Sequence, residues 1–140
     1  MKTILLPVDI FHETGWEGAL NHAVSLAQQH GSIIHVLTVI PDFGMPVVGS
    51  FFPDGFSKSA ATKAETGLSE FAAKHIPDGI DVIAHIKHGT TYKEILACAD
   101  AIGADMIVMA SHRPEMQDYL LGPNAARVTR HAKQSVCVIR

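Results

Sequence analysis

Five short apolar runs, separated by segments long enough for helices, constrain this 140-residue chain more than any single motif does. TILLPV (3–8), SIIHVLTVI (32–40), DVIAHIK (81–87), DMIVMA (105–110) and SVCVIR (135–140) are rich in Val, Ile and Leu. Such runs are the signature of strands. Between them the apolar period changes to that of a helix. Over about 15–30, Ala19, Ala23, Leu26 and Ala27 fall on one helical face, and Gly31 supplies a stop. Residues 57–75 start at Ser57, a good N-cap, with Ala61, Ala64, Leu68 and Phe71/Ala72 as the apolar stripe. TYKEILACADAI (91–102), with Thr90 or Thr91 able to cap it, and residues 123–132 complete the set. The order β-α-β-α-β-α-β-α-β predicts a doubly wound α/β domain with a five-stranded parallel sheet and helices on both faces. Strands apolar on both faces agree with burial between two helical layers. Neither an internal repeat nor a second domain is legible, so residues 1–140 are expected to form one unit.

Composition narrows the function classes. Hydrophobic residues make up 47% and charged residues 18%, which excludes a disordered chain. A net charge of −3 argues against an electrostatic nucleic-acid or membrane-surface partner. No apolar run approaches the roughly 20 residues of a membrane helix, and MKTILLPVDI lacks the h-region of a signal peptide. A cytoplasmic location is expected. The two cysteines, Cys98 and Cys137, form no CxxC and read as small core hydrophobes. The nine histidines are scattered, and His85 and His88 in HIKH have no partner cluster at metal spacing, so no metal site is expected.

In sheets of this kind, ligands bind beyond the carboxyl ends of the strands, where the strand order reverses. The stretch ASHRPEMQDYLLGPNAA (110–126) leaves the fourth strand there and takes about twice the usual 2–6 residues to reach a helix. Pro123 suits the first helical position, since its missing N–H would have no intrahelical partner anyway. Gly122 allows close backbone approach. The amides of Asn124 and Ala125, at the positive end of the helix dipole, favour an anion such as phosphate. His112 and Arg113 offer charge-assisted bonds. A plain helix cap with Arg113 in solvent is the alternative. Asp9, after the first strand, Val39, at the end of the second, and Ser111, after the fourth, complete the candidate set.

Some familiar chemistry is missing. There is no GxxxxGK[ST] phosphate loop and no GxGxxG in DIFHETGWEG. No GxSxG surrounds Ser111, so a hydrolase built on Ser111, His112 and Asp118 has no motif behind it. No catalytic residue is assigned, and any ATP hydrolysis is expected to be slow for want of a positioned general base.

ILLPVD near the start, HVLTVIP at the second strand and MASHRPEMQDYLLGPNAARVTRHAKQSVCVIR at the end are similar to the universal stress protein family, in particular to small members with an SHRP loop and a YLLG-x-NAA turn. The resemblance covers nearly the whole chain. It implies a Rossmann-like, adenine nucleotide alpha hydrolase-like sheet of order 3-2-1-4-5, and a homodimer paired through the last strand, Ser135–Arg140. For one branch it also implies ATP, or ADP or AMP, held in the crevice with Mg²⁺ on the phosphates. Carried across, the family's three loop glycines fall on Ala110, Arg113 and Gly122. Pro7 and Asp9 match the first strand's end, where the aspartate meets adenosine, and the backbone around Val39 matches the adenine contact. Ser111, His112, Arg113, Gly122, Pro123, Asn124 and Ala125 surround the phosphates.

Three positions depart from the family pattern. Ala110 narrows the approach with its Cβ, and Arg113 brings a cation in place of a glycine. Pro123 stands where Ser or Thr is usual and removes an amide and a hydroxyl, each worth roughly 0.5–1.5 kcal/mol. Losing both weakens affinity by about one to two decades. The expected function is an adenine-nucleotide-binding sensor or regulator of the stress response. Its rival is a nucleotide-free dimeric interaction protein of the same fold. PDFGMPVVGSFFPDGF (41–56), with four of the six phenylalanines, reads as a lid, an interaction surface or a packed loop.

Overall fold

The computed structural model describes residues 1–10, 15–41, 54–111 and 122–140, with the backbone alone for 41 and 54–61. Five strands, β1 (Thr3–Pro7), β2 (Ile33–Pro41), β3 (Val82–Gly89), β4 (Met106–Ala110) and β5 (Ser135–Ile139), alternate with four helices. The helices are α1 (Glu17–His30), α2 (Asp54–His75), α3 (Thr91–Ile102) and α4 (Pro123–His131). The strands form one parallel sheet of order β3-β2-β1-β4-β5. Consecutive strands step outward from β1 to β3, and the chain then crosses back to lay β4 on the other side of β1.

Period-two alternation within the apolar strands builds two cores. Ile4, Leu6, Val8, Ile34, Val36 and Val108 point to one face, under Ala19, Leu20, Ala23 and Ala27 of α1 and Leu68 and Phe71 of α2. Leu5, Leu37, Ile107 and Met109 point to the other, under Ile95, Cys98 and Ala99 of α3 and Ala125 and Val128 of α4. Three alanines one turn apart on α1 let that helix lie close to the strands. Both α1 and α3 end at glycines in the left-handed conformation, Gly31 (φ 68°) and Gly103 (φ 65°), whose amides return to the last helical carbonyls.

Element order and strand positions match the sequence reading to within a residue or two. Helix α2 differs most: it begins at Asp54, three residues ahead of Ser57. Its hydrogen-bonded backbone runs through Asp54 and Gly55, both poor helix formers, because intrinsic propensity is a weak force that tertiary context overrides. Helix α1 begins at Glu17, and Thr90 is the N-cap of α3 without a side-chain cap bond. Cys98 is buried as expected; Cys137 is only partly so, because it stands on an edge strand. Strand β3 forms the opposite edge and leaves Ile83 46% exposed. No helix among the described residues is long and apolar enough to cross a membrane.

Candidate functional site

The switch point lies between β1 and β4. Strand β1 pairs with β2 as far as Pro7↔Leu37, and β4 pairs with β5 as far as Ala110↔Ile139. Between β1 and β4 the register stops at Leu5↔Ile107. Beyond that point bonds tie each central strand to its outer neighbour. On one side Val8 N–H donates to Leu37 O (2.9 Å), and the buried Thr38 hydroxyl donates to Val8 O (2.9 Å). On the other, Ser111 N–H donates to Ile139 O (2.8 Å).

Helix α4 starts at the β4 side of this switch point. Gly122 N–H donates to Ser111 O at 2.6 Å, which docks the helix start on the end of β4. Gly122 is the N-cap, Pro123 occupies the first helical position, and the first intrahelical bond runs from Ala126 N–H to Gly122 O. The amides of Asn124 and Ala125 therefore have no partner within the helix. Charge distinguishes this helix start from two others. The first turn of α1 carries Glu17, whose carboxylate accepts from Gly15 N–H, and the first turn of α3 carries Glu94. The first turn of α4 carries no acid and its last turn carries Arg130 and His131. An anion at the N-terminus of α4 therefore meets no carboxylate from the helix's own first turn.

The described candidates lie at the carboxyl ends of β1, β2 and β4 and at the start of α4. Pro7 ends β1, Asp9 follows it, and both are half-buried. Val39 lies on the neighbouring strand, packed against the core beneath α3. Ala110 ends β4, and Ser111 is 3% exposed. Gly122 and Ala125 are buried, Asn124 is half-buried and Pro123 is exposed. Ala125 points its methyl into the core under α4, so only its backbone is free to meet a ligand. His112 and Arg113, the 42–53 part of the phenylalanine-rich connection and residues 114–121 lie outside the described residues. No group of three or more metal-ligating side chains occurs among the described residues.

Two constellations escaped the sequence reading. His35 on β2 and His85 on β3 are joined by a ring-nitrogen hydrogen bond of 2.8 Å, with the rings stacked at 13°. Burial, and then the neighbouring His85 for His35 and Lys87 for His85, holds both imidazoles below their usual pKa. Arg127 of α4 lies 5.0 Å from the centre of the Tyr92 ring of α3, a cation–π contact that ties the two helices. Neither contact follows from local pattern; each depends on strand register or on the packing of elements distant in sequence.

A parallel sheet of order 3-2-1-4-5 defines the doubly wound α/β class with an adenine nucleotide alpha hydrolase-like topology. Comparison with known proteins carries this to a family. The model of the universal stress protein family matches residues 1–140. Universal stress protein G of Escherichia coli O157:H7 is 34% identical over 141 residues, covering 99% of each chain. Among solved structures, the hypothetical protein MJ0577 superposes with a TM-score of 0.81 at 28% identity, covering 99% of this chain and 94% of that one. The universal stress protein from Archaeoglobus fulgidus in complex with dAMP shares the fold, with a TM-score of 0.63 at 19% identity, covering 100% of this chain and 98% of that one. The chain belongs to the universal stress protein family.

Proposed function

We propose that this family member binds an adenine nucleotide beyond the carboxyl ends of β1 and β4 and acts as a sensor or regulator in the stress response. The observation that carries the reading is the start of α4. Two backbone amides without intrahelical partners, and no acid in the first turn, stand at the carboxyl end of β4, where Gly122 N–H bonds Ser111 O. In this reading Asn124 and Ala125 hold phosphate through their amides. Ser111, His112 and Arg113 add contacts at the loop, while Asp9 and the backbone near Val39 hold the adenosine end. ATP with Mg²⁺ on its phosphates, or ADP or AMP, is the ligand class. The dAMP bound by the A. fulgidus protein supports an adenine nucleotide on this fold.

The same reading assigns a homodimer to the β5 edge. Val136, Cys137, Val138 and Ile139 are all partly exposed on a strand paired only on its β4 side. An apolar edge of this kind is protected when a second strand covers it.

The thermal unfolding midpoint with and without millimolar ATP, with Mg²⁺ throughout, tests the proposal. Ligand at about 100 times its Kd stabilises by about 2.7 kcal/mol, a shift of several degrees. A flat midpoint favours the second reading, a nucleotide-free interaction protein. The specific observation behind that reading is Pro123, which withdraws one donor from the helix start.

A further inference from the structure

The groove between α3 and α4 lies over the switch point. Helix α3 packs on β1, β2 and β3, and α4 packs on β5. With the strand order β3-β2-β1-β4-β5, the boundary between the two helices falls over the β1–β4 pair. Two contacts fix how the helices lie along each other. Tyr92, the second residue of α3, meets Arg127 of α4, whose guanidinium carbon is 5.0 Å from the ring centre. At the other end Gln134, just past α4, donates to Asp100 of α3 (2.9 Å). The helices therefore run side by side, and the Tyr92–Arg127 contact stands at their starts, the end where the strands terminate. Tyr92 packs there against the same core as Val39. Arg127 lies one turn, about 6 Å, beyond Pro123. Helical side chains lean toward the N-terminus, so this one is carried toward the amides of Asn124 and Ala125.

We propose that Arg127 is a further phosphate-binding residue of the nucleotide site, and that Tyr92 is the positioning residue that holds its guanidinium at the head of the groove. The inference rests on the nucleotide-binding reading above and adds a side-chain cation to the backbone amides that this reading uses. Arg127 is exposed, so its donors are open to a ligand. An aromatic face fixes a guanidinium without neutralising its charge, and the donor fork remains available for a phosphate. The two acids of α3 are engaged elsewhere. The Glu94 carboxylate lies against Gly89, where a Cβ would stand 2.8 Å from its Oε1. Asp100, at the far end, takes Gln134 and Lys133.

Calorimetric titration of the full chain with ATP and Mg²⁺, and separately with adenosine, tests the assignment in the wild type, Arg127→Gln, Tyr92→Leu and Tyr92→Phe. Arg127→Gln should raise the Kd for ATP about tenfold, as loss of a charge-assisted bond does, and leave that for adenosine unchanged. It should also flatten the fall of ATP affinity with added salt. Tyr92→Leu should weaken ATP in the same direction by less, and Tyr92→Phe, which keeps the ring, should match the wild type. An arginine that only ties α3 to α4 would lower the unfolding midpoint and leave the salt dependence of ATP binding as it was. That result, an unchanged Kd for ATP, or an equal loss for adenosine overturns the proposal. Unchanged ATP affinity in Tyr92→Leu overturns the role given to Tyr92. A wild type that binds neither ligand overturns the nucleotide reading and Arg127's role with it. A wild type that binds ATP no better than Arg127→Gln overturns this inference alone.

Discussion

His35 Nδ1 and His85 Nε2 share a hydrogen bond of 2.8 Å across the β2–β3 pair, at a point where His35 is only 9% exposed. One imidazole donates and the other accepts, so the bond tolerates one extra proton but not two. The groups facing the pair are few. Lys87 lies on β3 and acts on His85, and Cys98 of α3 interacts with both Lys87 and Glu94. Strand β1, on the other side of β2, brings no titratable side chain to its span Thr3–Pro7.

Because both imidazoles titrate below the usual value near 6.5, the native state resists protonation that the unfolded chain accepts. The sign follows: their contribution to stability is complete above about pH 6.5 and is lost as the pH falls through the lowered native values. The wild-type urea midpoint should therefore drop more steeply between pH 7 and pH 5 than that of a His35→Gln/His85→Gln double variant. Parallel pH profiles for the two proteins would remove the pair from this role.

Asp105 acts at the amino end of the central strand. Its carboxylate accepts from the amides of Lys2 (2.8 Å) and Thr3 (3.0 Å), and these two bonds hold its pKa below the ordinary carboxylate value. A lowered carboxylate stabilises above about pH 4 and loses that contribution as acid protonates it. Asp105→Asn should lower the thermal midpoint at pH 7 and converge with the wild type near pH 2–3. A constant gap across that range would mean that the charge on Asp105 contributes nothing.

Gly18 belongs to a helix yet meets a strand. A Cβ built there lies 2.9 Å from Cγ2 of Ile139. Alanine is the better helix former by about 1 kcal/mol, but overpacking costs about 1–3 kcal/mol, and here a branched side chain must yield. Gly18→Ala should be destabilising by about 1 kcal/mol in the wild type and stabilising in an Ile139→Ala background. Chemical denaturation of the four proteins in that cycle gives the coupling directly.

Pro123→Ser would return one amide and one hydroxyl to the start of α4. If phosphate sits there, the Kd for ATP should fall about tenfold or more, measured calorimetrically. An unchanged Kd would place the phosphates elsewhere.

Much of the architecture was legible because strand and helix periods are local. Leu5 and Leu6 in TILLPV point to opposite cores, and that double burial announces a parallel sheet before any register is known. The Gly122-Pro123-Asn124 helix start was legible for a similar reason: a proline at the first helical position and a glycine before it carry their own conformational rules. What depended on register was hidden. His35 and His85 are fifty positions apart, and only the β2–β3 pairing brings their rings together.

The position of Asp105 also bears on how the chain comes together. Its carboxylate clamps amides 103 and 102 positions earlier, at the start of the strand that forms the middle of the sheet. During synthesis β1 can meet β2 early, but its second neighbour does not exist until three-quarters of the polypeptide has been made. Contacts of such long span slow folding, and the central strand must wait, sealed along one edge and open along the other. That waiting edge is where a chaperone would engage the nascent chain, and where a stalled or truncated product would stick to its neighbours.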